Sequence, residues 1–164
     1  MSPMAEFGTC IGVTNRGRAP TIWRWRPNAG KPFFLVCPND ADAQNQALTS
    51  YVMVVGPLTL SSGKTYTPPA AILDGWQSTI AVAELANTDI LWSEPRDLAW
   101  ANMSWQINDR AQPSVSSHHP GGALVVFVDA HSQFLSNRTD PIALRALFTI
   151  AGGEPVDPDD VPLR

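Results

Sequence analysis

His118, His119, Asp129 and His131 lie within fourteen residues of one another in the stretch SSHHPGGALVVFVDAHSQFL, residues 116–135. Imidazole and carboxylate are the ligand types that zinc and similar ions take. The weak metal candidates are therefore His119, Asp129 and His131. Spacing works against them as one cluster. A strand over 123–128 rises about 3.3 Å per residue, which separates its ends by roughly 17–20 Å. His119 then stands at one end, and Asp129 with His131 at the other. The residues also read as the punctuation of a hairpin. Pro120-Gly121-Gly122 turns the chain into a central strand, and Asp129-Ala130 connects ALVVFV to SQFLS (132–136).

A second group able to do chemistry is WSEPRDL, residues 92–98. Glu94, Arg96 and Asp97 could hold a polar ligand beside Trp92, but ion pairs in a Pro-containing loop are the commoner outcome. Trp92, Trp100 and Trp105 punctuate the polar segment 86–117. They either pin that loop to the sheet or form an aromatic platform for a saccharide or other polar solute. Two cysteines, Cys10 and Cys37, allow one disulfide or two free thiols. A bridge would close a loop of about 28 residues and contribute roughly 3–4 kcal/mol. No P-loop, dinucleotide fingerprint, nucleophile elbow, C-x-x-C or H-E-x-x-H is present. The reading carries no catalytic residue and no cofactor.

The elements that must position these residues are short. Of 164 residues, 15 are proline and 11 glycine, which limits helices and central strands. Hydrophobic residues make up 44% and charged residues 16%, as in a folded chain with a real core. The net charge of -4 gives no basic footprint for nucleic acid. No apolar stretch approaches the roughly 18–20 residues that span a bilayer. The opening MSPMAEFGTC shows no basic and apolar regions of a secretory signal.

Residues 1–32 read as irregular, with a short Trp/Arg-alternating strand in TIWRWRP. FFLVC (33–37), TSYVMVVG (49–56), STIAVAEL (78–85), ALVVFV (123–128) and SQFLS are β-prone runs, apolar enough to be buried on both faces or under a covering loop. TDPIALRALFTIAGG signals a helix, with Asp140 as N-cap and Pro141 at its first position. Its apolar face is Leu144, Leu147, Phe148 and Ala151, and Gly152 or Gly153 supplies the stop. The tail, with 158–164 at its end, is acidic and loose.

HPGGALVVFVDAHSQFL resembles the H-x9-D-G run of a large bacterial group of prepilin-type, pseudopilin-like proteins of unassigned biochemical function. His119, Gly121, Gly122 and Asp129 fall on that motif. VCPND (36–40), TSYVMVVGP (49–57), LDGWQSTIAVAE (73–84), WSEPRDL (92–98) and TDPIALRALFTIAGGE (139–154) match further blocks in order, so the resemblance covers roughly 36–157. The family's D-G is Asp129-Ala130 here, and its D-G-x-S-N-T is Asp74-Gly75-Trp76-Gln77-Ser78-Thr79. Its opening cleavage site and apolar helix have no counterpart in residues 1–32. The resemblance implies an α+β, pilin-like domain over 33–157, with an antiparallel sheet, a C-terminal helix and long loops. It further implies a cell-envelope or extracellular setting linked to secretion or pilus-like systems. Partners would be other protein subunits or a second copy of the chain. An apolar sheet face is then covered either by residues 1–32 with 141–151 or by another chain.

Overall fold

A computed structural model of the chain describes residues 30–154, apart from 64 and 66. The strand expected in TIWRWRP, Cys10, and the 158–164 tail lie outside the described residues. The fold is α+β, built on one four-stranded antiparallel sheet.

The hairpin is its centre. Strand β5 (Gly122–Phe127) pairs with β6 (Ser132–Ser136) through Ala123↔Leu135, Leu124↔Phe134 and Val126↔Ser132. The connection, residues 128–131, is a tight turn in which the Ala130 N–H donates to Phe127 O at 3.0 Å and Ala130 itself takes φ +72°. A left-handed residue at the end of a hairpin turn is a position that favours glycine. On its other side β5 pairs with β3 (Ile80–Glu84), which pairs with β1 (Tyr51–Val52).

TSYVMVVG does not run as one strand. β1 stays on the main sheet, whereas β2 (Val54–Val55) pairs in parallel with β4 (Leu98–Ala99), inside the segment read as loop. The break falls at Met53, whose N–H donates to Asp97 Oδ1 at 2.9 Å and whose carbonyl accepts from Leu98 N–H. FFLVC is a second correction. Phe33–Leu35 form a 3-10 turn after Pro32, with Phe33 and Phe34 exposed. Leu35 O is occupied by Ser50 N–H and the Thr49 hydroxyl, which leaves no strand ladder to join.

The two faces of the sheet differ. Val52, Ile80, Ala83, Ala123, Val125, Phe127 and Leu135 are buried on one face under Leu144, Leu147 and Phe148. At about 1.5–3 kcal/mol per fully buried side chain, this layer is the main source of stability. Val82, Leu124, Val126 and Phe134 alternate onto the other face and are only half-buried.

Helix α2 (Pro141–Ala146) starts as expected. Asp140 Oδ1 accepts from Ile142 N–H at 2.6 Å and Ala143 N–H at 3.3 Å, and Pro141 takes the first position. It ends earlier than its pattern suggests, and Ala151 is exposed. Asp74 is the physical reason: its carboxylate accepts from the Thr149 hydroxyl and from the N–H groups of Gly152 and Gly153, pulling the chain away from the helix axis. Trp100 and Trp105 pin their segment as expected. They pack edge to face at 4.4 Å against the core, with Arg145 over the Trp100 ring.

Candidate functional site

The Gly-Gly pair ahead of β5 has two separate causes. Gly121 takes φ +93°, in the left-handed region. Gly122 lies so close to β6 that a Cβ there would stand 1.9 Å from Leu135 O. The preceding residues run beside the end of β3, where Ser116 N–H donates to Glu84 O and Ala86 N–H to Ser116 O. That path brings His119 over Glu84.

Cys37 arrives from the other side. The turn Cys37-Pro38-Asn39-Asp40 closes with Asp40 N–H donating to Cys37 O. It is held by the buried Asp40 carboxylate, which accepts from Ala43 N–H at the start of α1 (Ala41–Asn45) and from the Ser50 hydroxyl. His119 Nε2 lies 3.4 Å from Cys37 Sγ and 4.0 Å from Glu84 Oε1. One ligand atom from each of Cys37, Glu84 and His119 falls within 4.8 Å of the other two. Asn39 Nδ2 sits 3.0 Å from the second ring nitrogen, Nδ1.

Burial makes this group unusual. Cys37 and Glu84 are each 1% exposed. Glu84 Oε2 accepts from Leu124 N–H at 2.9 Å, whereas Oε1 has no hydrogen-bond partner of ordinary geometry. A buried polar atom left this way costs on the order of 1–3 kcal/mol. Burial first, and then a hydrogen bond with the Glu84 carboxyl, push the Cys37 thiol up to about 11. Tyr51, opposite Glu84 in the sheet, is pushed up to about 12 by burial first and by Glu84 second. A thiol beside an imidazole, with an amide on its far nitrogen, has the layout of a thiol nucleophile. A reactive nucleophile needs access to its substrate, and this thiol is closed off from water. His119 reaches solvent through an open cleft of about 890 Å³, whose lining includes Asn87, Asn108, Ser117 and His118.

The other sequence candidates are placed elsewhere. Asp129 and His131 pair with each other at 2.6 Å on the exposed turn, and the His131 ring stacks on Phe127 at 4.2 Å. Neither joins the Cys37–Glu84–His119 group. His118 Nε2 is 4.0 Å from Asp40. In the 92–98 loop, Arg96 holds Asp89 at 3.0 Å and Glu94 at 2.7 Å, while Asp97 bridges to Met53. The Arg96 guanidinium holds the Glu94 carboxyl below its ordinary range. Trp92 is half-buried, and its N–H donates to Ala47 O. Cys37 is a free thiol. Sequence reasoning passed over Glu84 and weighed Cys37 only for a disulfide or a free thiol. A carboxyl closing the apolar run STIAVAE was the available signal.

No protein-family model, curated protein or solved structure matches this chain.

Proposed function

We propose that this chain is a pseudopilin-like domain of a type II secretion or type IV pilus-like envelope system, acting without catalysis through contacts with other protein subunits. Two things support the reading. The ordered sequence blocks resemble that family, and residues from four of them (Cys37, Tyr51, Glu84 and His119) meet at one end of the sheet. The observation that carries it is the unequal burial of the two sheet faces. One is buried in the core with Leu144, Leu147, Phe148, Met103 and Ile107, while the other presents half-buried Val82, Leu124, Val126 and Phe134. A long apolar helix of a pilin-type subunit has the chemistry to cover such a face. No helix among the described residues is long and apolar enough to cross a membrane.

A photocrosslinking residue at Leu124, introduced in the native cells, tests this. Capture of an apolar pilin-type helix is the expected result. Crosslinking only to residues 1–29 of the same chain, or to none, would overturn the assignment. The rival solute-binding reading is weakened by its own tryptophans. Trp100 and Trp105 pack on the core and on each other instead of forming an exposed platform.

A further inference from the structure

We propose that Cys37, Glu84 and His119 form a site for one divalent transition-metal ion of the zinc class, a role separate from any docking of the sheet face. The donor set is a thiol, an imidazole and a carboxyl, which is what zinc and its neighbours bind and what magnesium and calcium do not. Tetrahedral bonding at about 2.0–2.3 Å places ligand atoms roughly 3.3–3.5 Å apart. Sγ and Nε2 already stand 3.4 Å apart, and the 4.0 Å from Nε2 to Oε1 needs only a small closure of the half-exposed His119 ring.

Three further features converge on the same point. Glu84 Oε1 is buried beside the Cys37 thiol and the His119 ring and makes no hydrogen bond of ordinary geometry, so an ion would supply what it lacks. Metal-binding histidines are held at their second nitrogen, and the Asn39 amide is at Nδ1. With its oxygen turned to that nitrogen, Asn39 accepts the Nδ1 proton and leaves the Nε2 lone pair free. The cleft beside His119 offers entry and a fourth coordination position. On binding, the metal–sulfur bond replaces the Cys37 S–H bond and the proton passes to solvent. The ion would tie together the Cys37 turn, the end of β3 and the loop before β5, segments up to 82 residues apart in sequence.

Chelator-treated, thiol-reduced protein titrated with Co²⁺ tests the site, read by the thiolate-to-cobalt charge-transfer band. One equivalent should saturate the band, and Zn²⁺ should abolish it by displacement. Cys37→Ser should remove it. Glu84→Gln and His119→Ala should weaken binding at least about 10-fold. Cys10→Ser and His131→Ala should leave it unchanged. Because a variant could misfold, each is checked by circular dichroism. In parallel, Zn²⁺ should raise the Tm of the wild-type protein but not of Cys37→Ser. No saturable band, a band that survives Cys37→Ser, or equal Tm shifts in both proteins would overturn the proposal.

Discussion

At the entrance to β5, His119 meets a thiol and a carboxyl that are both closed off from water. At its exit, His131 meets Asp129 on an exposed turn. The residue types are nearly the same, yet the two ends behave differently. The exit pair is satisfied locally: Asp129 accepts from the His131 N–H at 3.1 Å as well as from the ring, and the ring lies flat on Phe127. The entrance group keeps one buried oxygen without a hydrogen bond of ordinary geometry. Ligand-type residues a few positions apart in sequence thus tend to satisfy one another. Those brought together from distant segments can leave a valence open, and an open valence is what a ligand needs.

Mutations can break the comparison at either end, and the largest effect belongs to the entrance. Gly122→Ala would place a methyl 1.9 Å from Leu135 O and 2.7 Å from the Phe134 ring. Neither the backbone of β6 nor a packed ring can yield cheaply, so we expect a loss of about 3 kcal/mol in urea denaturation. Next comes Glu84. In metal-free protein, Glu84→Ala strips Leu124 N–H of its acceptor and opens a void, for a loss of about 2 kcal/mol. Glu84→Gln keeps an acceptor for that N–H and removes the need to bury a carboxyl, and should cost less than about 1 kcal/mol. Equal losses in the two variants would show that the carboxyl itself, and neither the acceptor nor the volume that Gln retains, is what Glu84 contributes.

At the exit, Ala130→Gly relieves the left-handed strain of φ +72° and should stabilise by about 0.5–1 kcal/mol, visible as a higher Tm. A fall in Tm would contradict the turn geometry. The smallest effect concerns pH. Asp129 is held below the ordinary carboxylate range, chiefly by the His131 N–H. A depressed folded-state pKa contributes stability that is present above the unfolded pKa and is lost as the pH falls through the folded value. Asp129→Asn should therefore flatten the acid limb of the Tm–pH curve slightly, and an unchanged limb would remove the turn's part in it.

Much of the exit end was legible in the sequence. SQFLS gives the bounds of β6, Asp129-Ala130 marks the turn, and Asp140-Pro141 marks the start of α2, because turns and caps are written in neighbouring residues. FFLVC misled, since its β-prone composition says nothing about whether a partner strand is free, and Ser50 and Thr49 had already taken Leu35 O. Helix α2 is shorter than its apolar spacing because Asp74, distant in sequence, captures the chain beyond it. The entrance end was the least legible. His119 was identified, but its partners Cys37 and Glu84 are set by strand order and by the Asp40-held turn, and no local periodicity encodes either.

The most direct test of the contrast between the two ends is anomalous diffraction at the zinc edge from crystals grown with one equivalent of Zn²⁺. The expected result is a single peak about 2.0–2.3 Å from Cys37 Sγ, Glu84 Oε1 and His119 Nε2. A peak at Asp129 and His131 instead, or none at the Cys37 group, would contradict the account.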